Sequence, residues 1–104
     1  MRTMKEIIKE RILVLDGALG TMIQRYNLQE DDFRGEEFKN HPVKLTGNND
    51  ILVLTCPDLI ADIHRQYLEA GADIIETCTF NSQAISQAEY QTANYVFRIN
   101  RDAA

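Results

Sequence analysis

The sequence predicts an α/β fold with parallel strands: the opening βα units of a (β/α)8 TIM barrel, truncated before closure. Three observations predict it. An apolar run, Ile12-Leu13-Val14-Leu15, stops at Asp16-Gly17. An amphipathic helix over Pro57 to Ala70 leads almost without a loop into a second run, Ala72-Asp73-Ile74-Ile75-Glu76-Thr77. Strand, helix and strand in that order are the unit of a parallel sheet. Two or three parallel strands cannot cover both faces of a sheet, and a full barrel needs about 250 residues. At 104 residues the chain amounts to its first quarter. The last helical pattern runs to Ala104 with no glycine, proline or cap after it. That is the expectation for a truncated chain, one that exposes apolar strand faces and associates or is only marginally stable.

The elements follow in order. Met4, Ile7 and Ile8 share one side of a short helix over Met4 to Arg11, with Lys5, Glu6, Lys9 and Glu10 opposite. Ile12 to Leu15 suits a strand buried on both faces. Gly17 and Gly20 allow tight turning and close backbone approach, and a short helix follows through Met22, Ile23 and Tyr26. Asn27 to Asp50 carries Asp31, Asp32, Glu36 and Glu37 with Gly35, Pro42 and Gly47. It reads as a long surface excursion with one helical turn around Glu36 to Lys39, pinned by Phe33 and Phe38. Long loops of this kind are often functional. Ile51 to Thr55 has strand composition, but short apolar runs are ambiguous between strand and buried helix.

Pro57 to Ala70 is the clearest element. Thr55 and Asp58 have the spacing of a capping box, and Pro57 suits the first turn. Leu59, Ile60, Ile63, Tyr67 and Leu68 form the apolar stripe, and Gly71 is placed to end the helix in a left-handed conformation. His64 borders that stripe and reads as a partly buried ring with a hydrogen bond rather than a catalytic group. Asn81 or Ser82 can cap a helix through Ile85, Ala88 and Glu89. Val96, Ile99 and Ala103 mark a last helix.

In parallel α/β folds ligands bind at the carboxyl ends of the strands. Asp16 and Gly17 end the first strand, and Thr77-Cys78-Thr79-Phe80-Asn81 ends the second. The two ends lie side by side, so Asp16 and the Thr79/Phe80 backbone are expected to line one pocket. The net charge of −5 and the absence of a basic cluster argue against nucleic acid and anionic membrane as partners. Cys56 and Cys78 form no CxxC pair and suit a reducing cytosol, which gives a cytoplasmic expectation. There is no phosphate-cradling glycine loop and no nucleophile elbow. Cys56, Cys78, His41 and His64 do not make a zinc site. Cys78 reads as an inert thiol, since no basic partner is evident.

Four motifs in order then carry a resemblance: LDGALGTMIQ, DDFRGEEF, GNNDILVLTCPDLIADIH and AGADIIETCTFNSQ. Together they resemble the start of the cobalamin-dependent methionine synthase family, over about Leu15 to Gln91. The first and last motifs are shared with homocysteine S-methyltransferases at large; the middle two favour the cobalamin-dependent branch. The resemblance implies that residues 1–104 are the N-terminal part of a homocysteine-binding barrel. It implies a full-length enzyme that moves a methyl group from methylcobalamin, recharged by methyltetrahydrofolate, to the zinc-bound thiolate of homocysteine. Its three zinc-binding cysteines come from later strands, so no metal, no cobalamin and no activity are expected of residues 1–104 alone. Homocysteine and the cobalamin and folate domains are the implied partners.

Carried over by residue, the resemblance puts Asp16, Gly17 and Ala18 beside homocysteine, with Asp16 toward its ammonium. Thr79 and Phe80 would contact the substrate backbone. Cys78 stands where the family pattern has asparagine, and Ile51 to Thr55 falls in the connection ahead of the first outer helix rather than in a strand. Two other readings compete. One is a cobalamin-independent homocysteine S-methyltransferase with another methyl donor, against which the DDFRGEEF insertion speaks. The other is a non-catalytic half-barrel interaction module, which exposed strand edges would permit.

Overall fold

The computed structural model describes residues 2–104. Its extents are 52 × 26 × 19 Å, so the molecule is drawn out along one direction. The reason lies in the two apolar runs. They meet at a single parallel bridge, Leu15 to Ile74. The Asp16 N–H donates to the Ile74 carbonyl at 2.9 Å, and the Val14 carbonyl accepts from Ile74 at 3.2 Å and from Asp73 at 2.7 Å. Among the described residues no third strand pairs with them, and Ile12 is 87% exposed, with Val14, Leu15 and Ile75 exposed too.

Side chains extend this short pairing at both ends. Asp73 Oδ2 accepts the Val14 N–H at 2.8 Å, and Arg11 grips the same carboxylate with two bonds, at 2.6 and 2.5 Å. The Arg11 hydrogen bonds, with the one from Val14, hold the Asp73 carboxyl down to about 2. At the other end the Asp16 carboxylate takes the place of the next backbone carbonyl. Its Oδ2 accepts the Glu76 N–H at 3.0 Å.

The helices are short apart from one. α1 (Met4–Ile7) is capped by a reciprocal Thr3–Glu6 box and buries no residue. It ends earlier than the apolar spacing predicts, because nothing packs over Met4 or Ile8. α2 (Leu19–Gln24) buries Ile23. α3 (Glu30–Arg34) supplies a helix in the long excursion, ending two residues before the expected Glu36 to Lys39, a stretch that forms a turn in which the Phe38 N–H bonds back to the Arg34 carbonyl at 3.0 Å. A 3-10 turn at Asn49–Ile51 runs into α4 (Leu52–Thr55). The strand-like composition of Ile51 to Thr55 therefore belongs to buried helical backbone.

α5 (Pro57–Glu69) is the longest helix, with Pro57 in its first turn. The Thr55–Asp58 box does not form. Thr55 closes α4 instead and bonds back to the Ile51 carbonyl, while Cys56 is the N-cap but gives α5 no side-chain cap, its thiol donating to the Asp32 carbonyl. At the other end Gly71 has φ +114°. Its N–H reaches the Leu68 carbonyl and the Ala72 N–H reaches the Tyr67 carbonyl, the paired bonds of a Schellman termination. Ile60 and Ile63 are buried, whereas Leu68 at the helix end is exposed. The His64 Nδ1 is buried without the hydrogen bond expected of it. α6 (Ala84–Ala88) begins after Gln83 with no side-chain cap, because Ser82 is already engaged elsewhere. α7 (Val96–Ala103) buries Ile99, in line with its apolar spacing.

The core draws on the excursion and on the apolar run after it as well as on the helices. Ile23, Phe33, Phe38, Leu45, Ile51, Leu52, Val53, Ile60, Ile63, Cys78 and Ile99 form one buried cluster. Phe33 and Phe38 do pin the excursion, and Phe38 meets Tyr95 edge-to-face at 4.9 Å between centroids. The excursion is organised by Glu30 and Arg34 rather than by regular structure. Glu30 accepts from the Leu45 N–H (2.8 Å), the Thr46 N–H (2.9 Å), the Thr46 hydroxyl (2.7 Å) and Arg34 Nε (2.8 Å). Arg34 in turn donates to the carbonyls of Phe38, His41 and Val43. One ion pair thus satisfies backbone groups that no helix or sheet would.

Candidate functional site

The bridge brings the ends of the two runs together, and a cavity of about 330 Å³ opens there. Asp16 and Gly17 line it from the first run, and Glu76 to Asn81 from the second. Leu19, Gly20 and Ile23 of α2 and Gly47, Asn49 and Asp50 of the excursion complete the wall. Of the residues expected at the site, Asp16, Gly17, Thr79 and Phe80 share this cavity. Ala18 sits just behind it. Its carbonyl accepts the Tyr67 hydroxyl at 3.3 Å and the Met22 N–H at 3.3 Å.

Gly17 is small for a reason of packing. A Cβ there would lie 3.2 Å from the Tyr67 hydroxyl oxygen and 3.4 Å from its ring. Gly17 does not use a positive φ, so the turn expected of it is replaced by a close approach to α5. Tyr67, which the sequence marks only as part of an apolar stripe, therefore positions the Asp16-Gly17-Ala18 segment.

The electrostatics of the cavity are one-sided. Asp16, Asp50 and Glu76 line it and no lysine, arginine or histidine does. Such a lining favours a cationic group such as an ammonium. Asp16 Oδ2 is held by the Glu76 N–H, and among the described residues Oδ1 has no hydrogen-bond partner. The N–H groups of Thr77, Cys78 and Phe80, three of the lining residues, likewise have none among the described residues. Leu19 and Ile23 supply an apolar side. The cavity thus combines an acidic side, suited to an ammonium group, with an apolar side.

Cys78 lies at the floor, 4% exposed. Its thiol points to the Asn49 carbonyl (3.6 Å) and to Asp50 Oδ1 (3.7 Å). Burial, reinforced by the Asp50 charge, pushes the thiol up to about 12. It is a protonated donor and no nucleophile, as the absence of a basic partner predicts. Among the described residues no group of three histidine, cysteine or carboxylate side chains can hold a metal ion, and Cys78 is a poor thiolate. The described residues do not by themselves supply the ligand set of a zinc centre.

The sequence reading missed Gly47, Asn49 and Asp50 as site residues. A signal was present: Gly47-Asn48-Asn49-Asp50 is a dense polar cluster immediately before an apolar run. It also missed Gln87. The Asn48 and Gln87 carboxamides exchange two hydrogen bonds, at 2.9 and 3.1 Å, and Gln87 also receives the Thr92 hydroxyl at 2.7 Å. All three are buried. This network fastens the excursion to α6, behind the cavity wall.

No helix among the described residues is long and apolar enough to cross a membrane. A family model described as homocysteine S-methyltransferase matches residues 13–104. That span takes in both run ends, the excursion and every residue lining the cavity, and the chain belongs to the homocysteine S-methyltransferase family.

Proposed function

We propose that this segment binds the amino-acid end of homocysteine at the Asp16–Phe80 cavity, within the homocysteine-binding barrel of a cobalamin-dependent methionine synthase. The observation that carries the reading is the acidic, cation-free cavity at the adjacent ends of two parallel runs. In a parallel α/β fold this is the ligand-binding end. Asp16 receives the ammonium on Oδ1. The N–H groups of the Thr77–Phe80 end receive the carboxylate, and the side of Leu19 and Ile23 takes the methylenes. Asp16 and its neighbours bind and orient; they do not activate the thiol.

The exposed apolar faces of both runs support the barrel reading, because in a closed barrel each would be covered by a further strand and an outer helix. A barrel of that kind is completed by residues outside this segment, and so is any zinc site. The order of the DDFRGEEF and GNNDILVLTCPD motifs supports methylcobalamin, recharged from methyltetrahydrofolate, as the donor, and a cytoplasmic enzyme follows from that role.

The test uses the full-length gene product. Homocysteine should be methylated with methylcobalamin or methyltetrahydrofolate as donor. Comparable turnover from a sulfonium donor in the absence of cobalamin would overturn the cobalamin assignment. Asp16→Asn should raise the homocysteine KM by roughly 10- to 100-fold, the loss of one charge-assisted contact of about 1.5–3 kcal/mol. An unchanged KM and kcat would remove Asp16 from the site.

A further inference from the structure

Asp50 is a carboxylate buried to 4% exposure with no basic side chain bonded to it among the described residues. Burying a charge in this way is costly unless hydrogen bonds replace its hydration. Here they do. Oδ2 accepts the Asn81 N–H at 2.7 Å and the Ser82 hydroxyl at 2.7 Å, and Oδ1 faces the Cys78 thiol at 3.7 Å. Every one of these donors sits in the segment Cys78–Ser82, which contains Thr79 and Phe80.

The same segment is held from its other side. Gln87 Nε2 donates to the Asn81 carbonyl at 3.0 Å, and Asn100 Nδ2 donates to the Ser82 carbonyl at 2.8 Å. Those bonds anchor the turn to α6 and α7. Among the described residues the excursion, and so the opposite cavity wall, holds it through the Asp50 carboxylate and through the Asn49 carbonyl, which faces the Cys78 thiol at 3.6 Å. A neutral side chain could close a core here at lower cost. The arrangement instead places an acceptor where it sets the spacing between two walls of one cavity.

We infer that Asp50 is a positioning residue for homocysteine: through Asn81, Ser82 and Cys78 it fixes the Thr79–Phe80 turn at the distance the substrate backbone requires. Its own oxygens are occupied by protein donors, so it acts through the turn and not by touching the substrate. The inference rests on the homocysteine-binding reading of the cavity.

The experiment measures homocysteine KM and kcat in the full-length gene product for Asp50→Ala, Asp50→Asn and Ser82→Ala, beside Asp16→Asn and the core variant Ile63→Ala. Asp50→Ala should raise KM at least tenfold with kcat changed less than threefold. Asp50→Asn keeps one acceptor oxygen at the turn and should recover part of that loss. Ser82→Ala removes one of the two short bonds and should raise KM about threefold, which keeps the test open if Asp50→Ala does not fold. Ile63→Ala, which lowers thermal stability in α5 away from the cavity, should leave KM within twofold. If Asp50→Ala and Ser82→Ala leave KM unchanged while Asp16→Asn raises it, the positioning role is overturned and the binding site stands. An equal rise in KM for Ile63→Ala would also overturn it, since the effect would then be general loosening. If no variant changes KM for homocysteine, Asp16→Asn included, the reading of the cavity itself falls.

Discussion

Two regions of this molecule invert each other. The runs Ile12 to Leu15 and Ala72 to Thr77 are the most strand-like stretches of the sequence, and they are largely exposed around one bridge. Residues 27–50 look like a polar excursion, yet with the short apolar run that follows, Ile51 to Thr55, they contain six of the eleven members of the core cluster: Phe33, Phe38, Leu45, Ile51, Leu52 and Val53. Burial is not a property of a residue's own hydrophobicity. It requires a partner surface. A strand buries its faces only when other strands and helices arrive, whereas the excursion folds back on α4, α5 and α7 and supplies its own partners.

The widest separation between the two regions should come from truncating one apolar side chain in each. Ile51→Ala, at a site with no exposed surface, should cost roughly 2–5 kcal/mol in urea denaturation. Ile12→Ala should change stability by less than about 0.5 kcal/mol. Equal losses would show that the first run is covered in solution, by association or by a further part of the chain.

A smaller effect is expected at the ion pair that replaces secondary structure in the excursion. Burial alone would raise the Glu30 carboxyl, but the hydrogen bonds from Leu45, Thr46 and Arg34 outweigh it and hold it at about 2, below its ordinary 4.5. A depressed folded-state value stabilises the fold above the unfolded value and loses that effect as pH falls. Glu30→Ala should therefore cost roughly 2–3 kcal/mol at neutral pH, from lost charge-assisted bonds and stranded donors. The difference from wild type should shrink between pH 4.5 and 2. A difference independent of pH across that interval would show that the carboxylate charge does not organise residues 35–46.

The smallest effects belong to single side chains at the bridge and the cavity floor. Asp73→Asn should speed amide exchange at Val14 with little change in the melting temperature, because the Arg11–Asp73 pair faces solvent on the arginine side. A cooperative loss of the whole fold would mean that the bridge, and not the excursion, nucleates the structure. The Cys78 thiol should resist iodoacetamide at pH 8 until the protein unfolds, while Cys56, which is less buried, reacts first. Rapid native-state alkylation of Cys78 would show that the cavity floor opens.

The site was legible in part. Asp16, Gly17, Thr79 and Phe80 follow from a rule about strand ends, and that rule needs only the order of elements. Asn49 and Asp50 showed only as a polar cluster and Tyr67 only as part of an apolar stripe; no local pattern places the first two at the cavity or the third against Gly17 and Ala18. The capping box at Thr55 shows the same limit. Its spacing is correct, but α4 claims Thr55 for its own last turn. His64 is the residue for which the structure offers no account: its Nδ1 is buried without a partner.

The sequence by itself determined the α5 helix with Pro57 at its start and Gly71 at its end, the carboxylate and glycine that close the first run, and membership of the homocysteine S-methyltransferase family. These are matters of local stereochemistry or of motif order, and neither depends on distant contacts. The tertiary structure alone decided that the excursion packs into the core, that Gly17 makes room for Tyr67, and that Asp50 ties the Thr79–Phe80 turn to the opposite wall. Each joins residues some 30 to 50 positions apart, and such pairings are settled by which surfaces are left to cover each other once the helices have formed.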